Sequence, residues 1–147
     1  MPLFDTISNA VKPYDASVII RENELTVTNR QNGRQIQVFR ETYKSQDGTD
    51  RFTEYIVEFS TQHRHFEDDE EEEIIDYILS IMLDEVLPIE FFCNGQRRFG
   101  GELDRKKNSG ADPAKWLTDV GCDAAQYTPL SYEINSWSGR FDTGKKI

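Results

Sequence analysis

The sequence predicts a single α+β domain in which an antiparallel sheet, made of an N-terminal four-stranded meander and a later hairpin, packs on one central helix of about 18 residues. Three observations carry this. Residues 17–60 hold four short runs rich in β-branched and aromatic side chains, separated by turn formers. Residues 69–87 hold apolar side chains around most of a helical circumference, and Asn94-Gly95 joins two further apolar runs. At 147 residues the chain has the length of one domain, and 12% aromatic content sets it apart from disordered chains.

Leu3, Phe4, Ile7, Ala10 and Val11 recur at helical spacing and predict a short amphipathic helix over 3–11, closed before Pro13. The predicted strands are Ser17–Arg21, Leu25–Thr28, Gln35–Arg40 and Phe52–Ser60, divided by Glu22-Asn23-Glu24, Asn32-Gly33 and Asp47-Gly48. In the last of them Thr53, Tyr55, Val57 and Phe59 alternate with Glu54 and Glu58, as in a strand with one wet face. His63-Arg64-His65 then reads as a solvated connection into the helix.

The central helix is expected from near Asp69 to Leu87, stopped by Pro88. Asp69, Glu73, Asp76, Ser80 and Asp84 fall on one narrow stripe, and apolar side chains cover most of the rest. That is more apolar surface than one sheet face needs, so the helix is expected to lie in a concave sheet or to be shared with a second chain. Ile89–Cys93 and Gln96–Leu103 form the hairpin around Asn94-Gly95. Asp112 caps and Pro113 opens a short helix in the C-terminal half, which Gly121 ends. Tyr132–Trp137 reads as the last strand, and the tail through Lys145, Lys146 and Ile147 as loose.

The net charge of −10 is concentrated. Of the 27 acids, eleven lie between Glu67 and Glu90, where there is no Lys or Arg, leaving 16 acids against 17 bases in the remainder. Glu67, Asp68, Asp69, Glu70, Glu71, Glu72 and Glu73 are consecutive. Carboxylates in a first helical turn gain from the helix dipole, but repulsion among seven in a row outgrows that gain. Such a field disfavours nucleic acid and anionic membranes as partners and suits a basic protein.

Catalytic patterns are absent. Gly95–Gly101 has neither phosphate-loop nor dinucleotide spacing, and His-Glu-x-x-His and Gly-x-Ser-x-Gly do not occur. Cys93 sits among Phe91 and Phe92, where a thiol packs as a small hydrophobe, and Cys122 lacks flanking bases. Arg97, Arg98, Arg105, Lys106 and Lys107 read as a solvent face or as counterions to the chain's own acids. His63 and His65, two apart, would share one side of a strand and define the alternative of a small metal-dependent enzyme. Residues 1–11 lack the basic end and apolar stretch of a signal peptide, and both cysteines read as reduced thiols, so a cytoplasmic protein is expected.

In kind, the size, charge and thiol usage resemble the small acidic immunity proteins that bacteria make against nuclease toxins, although no motif carries the likeness. The resemblance implies a non-catalytic, cofactor-free inhibitor that masks the cationic site of a basic toxin domain with carboxylates in place of phosphates. Glu67–Glu73 with Asp76 and Asp84 would supply the charge, and Tyr77 and Trp137, expected to be exposed, the anchors. The rival reading is an adaptor or homodimeric subunit that uses the broad apolar face of the helix.

Overall fold

Leu3, Phe4, Ile7 and Val11 all lie on one side of helix α1 (Pro2–Val11), where each is at most 6% exposed, as spacings of three and four residues dictate. The computed structural model describes residues 2–107, 112–122 and 130–146. The chain is α+β with antiparallel sheets and divides into two compact units, Met1–Ser80 and Ile81–Ile147.

In the first unit α1 is followed by β1 (Ala16–Ile20), β2 (Glu24–Asn29), β3 (Gln35–Lys44), β4 (Arg51–Phe59) and β5 (Gln62–Glu67), joined as an antiparallel meander in chain order. One face is apolar: Leu25, Val27, Ile36, Val38 and Val57 are fully buried, and the Phe4 ring meets Tyr55 edge-on at 6.3 Å. Turns form where glycine is needed, with Gly33 at φ 77° and Gly48 at φ 75°.

The fifth strand replaces the expected connection. Its sequence QHRHFE contains one apolar residue, Phe66, and only that side chain is buried. An edge strand needs no apolar alternation, because one side of its backbone ladder and much of its surface face solvent. Periodicity therefore missed it.

Helix α2 (Glu71–Met82) has 12 residues rather than about 18. Asp84 adopts φ 55°, a left-handed conformation that its short polar side chain tolerates, and this residue, not Pro88, ends the helical path. Pro88 falls within β6 (Val86–Cys93), outside the β6–β8 register that runs from Ile89 to Cys93.

The second unit has a four-stranded antiparallel sheet ordered β7-β6-β8-β9, built from β6, β7 (Gln96–Asp104), β8 (Leu130–Ile134) and β9 (Thr143–Lys146). The hairpin thus belongs to its own sheet and does not extend the meander. Asn94 at φ 53° and Gly95 at φ 76° give the turn that Asn-Gly predicts. The supposedly loose tail is β9, which pairs with β8 through its backbone, and the last predicted strand ends at Ile134, short of Trp137.

Helix α3 (Pro113–Asp119) is capped as expected: the Asp112 carboxylate accepts the Ala114 and Lys115 N–H groups at 3.0 and 3.3 Å. It delivers Trp116 onto the sheet. Phe91 stacks between Phe99 and Trp116 at 4.9 and 5.6 Å, and the indole N–H donates to the Glu102 carbonyl at 2.9 Å. Gly101 makes that approach possible, since a Cβ there would stand 2.6 Å from Trp116 Cζ2.

Candidate docking site

Local structure explains part of the acidic run. Glu67 ends β5, and Asp68 and Asp69 turn the chain. The Glu70 carbonyl accepts the Ile74 N–H at 3.0 Å, which makes Glu70 the cap of α2, while its carboxylate accepts the Glu67 N–H at 2.8 Å. Glu71, Glu72 and Glu73 fill the first turn of α2, where each gains roughly 0.3–1 kcal/mol from the helix dipole. Structure thus accounts for four acids. Glu67, Asp68, Asp69, Glu71, Glu72, Glu73 and Asp76 are nonetheless exposed, with Glu70 half-buried.

Ion pairing does not absorb them. The ion pairs seen among the described residues lie elsewhere, at Arg30–Asp15, Arg97–Glu90 and Lys106–Glu85, and His65 bonds Glu54. Bases of the second unit are engaged locally, for the Arg105 guanidinium donates to the Asp84 carbonyl at 3.0 Å and lies 4.0 Å from the Phe141 ring centroid.

Strand register adds what the linear sequence hides. Glu41, Glu54 and Glu67 stand directly opposite one another across β3, β4 and β5. Like charges so placed repel, and donors hold the inner two: the Tyr43 hydroxyl donates to Glu41, and His65 Nδ1 bonds Glu54. The bond to Glu41, reinforced by desolvation and by Glu54, pushes the Tyr43 phenol well above its ordinary value, so it remains a donor into the alkaline range.

Tyr43 and Phe52 are opposite each other in the β3–β4 ladder, 44% and 56% exposed. Together with Glu54, Glu67, Asp68 and Asp69 they line an open groove of about 660 Å³, with Arg51 in its wall. Exposed aromatic faces beside the exposed carboxylates of Glu67, Asp68 and Asp69 suit a Lys or Arg side chain, through charge and through cation–π contact.

The hairpin that carries both rings is secured at its tip. Asp47 accepts from the Ser45 hydroxyl at 2.5 Å and from the Thr49 N–H and hydroxyl at 3.0 and 2.8 Å. Led by the Ser45 bond, these lower its carboxyl from 3.8 to about 2. Because the folded carboxyl titrates below the unfolded one, its contribution to hairpin stability is full above the ordinary value and is lost as pH falls toward about 2. An NMR titration of Asp47 should have its midpoint near 2, and Ser45→Ala should raise it.

Other expected site residues are placed differently. Tyr77 is 5% exposed, packed on Phe66 at 5.7 Å and covered by the Arg64 guanidinium at 4.2 Å. Trp137 is 5% exposed, and Asp84 is buried with its carboxylate accepting the Ser138 N–H at 3.1 Å. None of the three faces solvent as anchor or charge: both rings are buried, and the helix ends before Asp84 can join the exposed stripe. His63 and His65 do share the outer face of β5, with rings 5.2 Å apart, but no group of three convergent ligands includes them among the described residues. The one such group there is Glu67, Asp69 and Glu70.

Sequence reasoning missed Tyr43, Phe52, Glu41 and Glu54. The usable signal was Asp47-Gly48, since an in-register hairpin around that turn sets Tyr43 against Phe52. No helix of the described residues is long and apolar enough to cross a membrane. No family model, no curated protein and no solved structure matches the chain.

Proposed function

We propose that the protein is a non-catalytic inhibitor of the immunity type, a cytoplasmic bacterial protein that binds a basic toxin domain and masks its cationic site. One observation carries this reading: the Glu67–Glu73 ridge is exposed apart from half-buried Glu70, lies away from the ion pairs seen among the described residues, and opens onto a groove with two exposed aromatic rings. Carboxylates here take the place of nucleic-acid phosphates before the partner's Lys and Arg, and Phe52 and Tyr43 replace Tyr77 and Trp137 as anchors. Charge sets the speed and specificity of encounter, and the rings set its persistence.

The rival reading, an adaptor that docks through the α2 face, has less support. Ile74, Tyr77, Ile78, Ile81 and Met82 are each at most 6% exposed within the chain itself.

An inhibitor of this kind should be encoded beside a larger chain with a basic C-terminal domain, and the test is binding to that domain across a salt series. Affinity should fall steeply as salt rises. Phe52→Ala should weaken the complex by about 2 kcal/mol, the scale of an interface anchor, with the melting temperature unchanged because the ring is 56% exposed. No complex, or a complex indifferent to both salt and Phe52, would end this reading.

A further inference from the structure

The two edges of the five-stranded sheet are built differently. At one edge β5 carries His63, Arg64, His65 and Glu67, polar side chains that discourage another strand from pairing. At the other, β1 reads Ala16-Ser17-Val18-Ile19-Ile20, without charge, proline or glycine, and leaves Ile19 and Ile20 54% and 41% exposed. Such an edge is a template for a further strand.

Backbone parity fixes which groups it offers. The Asp15 carbonyl accepts from the Arg30 N–H and the Arg21 N–H donates to the Glu24 carbonyl, so odd-numbered residues of β1 point their amides toward β2. Those of Val18 and Ile20 point away, where the sheet ends, while the Ala16 N–H is taken up by the Tyr14 carbonyl at 2.7 Å.

We infer that two copies of this chain join antiparallel along β1, centred on Val18, to form one continuous sheet. In that register Val18 exchanges both hydrogen bonds with its symmetry mate, and each Ile20 N–H donates to the Ala16 carbonyl of the second copy. The same register sets the Asp15 carboxylate, which within the chain is 3.9 Å from the Arg30 guanidinium and 55% exposed, opposite the second copy's Arg21 guanidinium, twice by symmetry. Parity of the outward amides and complementarity of the flanking charges thus select one register. Long-range charge permits it too: the acidic run begins at β5, four strand spacings or about 19 Å from β1, beyond the screening length of about 8 Å. The pairing leaves both acidic ridges uncovered and is independent of the inhibitor reading.

Sedimentation equilibrium of the full chain over a concentration series tests it. A monomer–dimer equilibrium should appear by the millimolar range, and Arg21→Asp or Asp15→Arg alone should raise its Kd roughly tenfold, because each removes two symmetry-related pairs. The double exchange Asp15→Arg with Arg21→Asp should restore the wild-type Kd. Val18→Pro, which removes an N–H facing away from β2, should give a folded monomer by circular dichroism. A chain monomeric throughout, or a dimer that ignores the charge variants and their exchange, overturns the inference.

Discussion

Replacing Asp68 and Asp69 by lysine should slow association with the basic partner domain by about one to two orders of magnitude at low ionic strength, with the fold intact. The two residues suit the experiment because both are exposed turn positions that line the groove, outside the helix and the β-ladder. Reversal at Glu71 to Glu73 would add a helix-dipole penalty, and reversal at Glu70 would remove the cap and its bond to the Glu67 N–H. Stopped-flow association rates in low and high salt give the readout. The difference between wild type and variant should shrink as salt rises, because steering over more than a Debye length is screened. Equal association rates at low salt would remove this part of the ridge from the encounter.

Phe91→Ala should cost about 3–5 kcal/mol, a large share of the roughly 5–15 kcal/mol that keeps a domain folded. The ring is fully buried in β6, between Phe99 and Trp116, among Leu87, Ile89, Leu103, Leu117, Leu130 and Ile134. Its loss removes apolar burial and leaves a cavity that the stacked neighbours cannot close, since Trp116 is already tied to the Glu102 carbonyl and pressed against Gly101. Urea unfolding followed by tryptophan fluorescence should show the midpoint drop. Partner association through Asp68 and Asp69, measured under conditions where the variant is folded, should be unchanged. An unaltered urea midpoint would mean that the stack contributes little.

Local chemistry was legible wherever it was decided locally. Asp112-Pro113, Asn94-Gly95 and Asp47-Gly48 predicted a cap and two turns, because backbone hydrogen bonding and positive φ are properties of a few adjacent residues. Runs of β-branched and aromatic residues between turn formers found β2, β3 and β4, and alternation marked the wet face of β4. It failed for β5 and β9, which are held by backbone pairing to a neighbouring strand and need little apolar content of their own. It also overran α2, because the apolar pattern continues from the helix into β6 and either element accounts for a fully apolar run.

Composition, period and charge order are linear properties, and they suffice to show that the chain is α+β, that a helix follows the meander, and that negative charge gathers at the start of that helix. Tertiary structure alone decided that Glu41, Glu54 and Glu67 align, that Tyr43 and Phe52 stand beside the acids, and that Tyr77, Asp84 and Trp137 are enclosed. Register across strands and burial depend on residues far apart in the chain, and a one-residue slip of a strand would send its side chains, Tyr43 and Phe52 among them, to the other face.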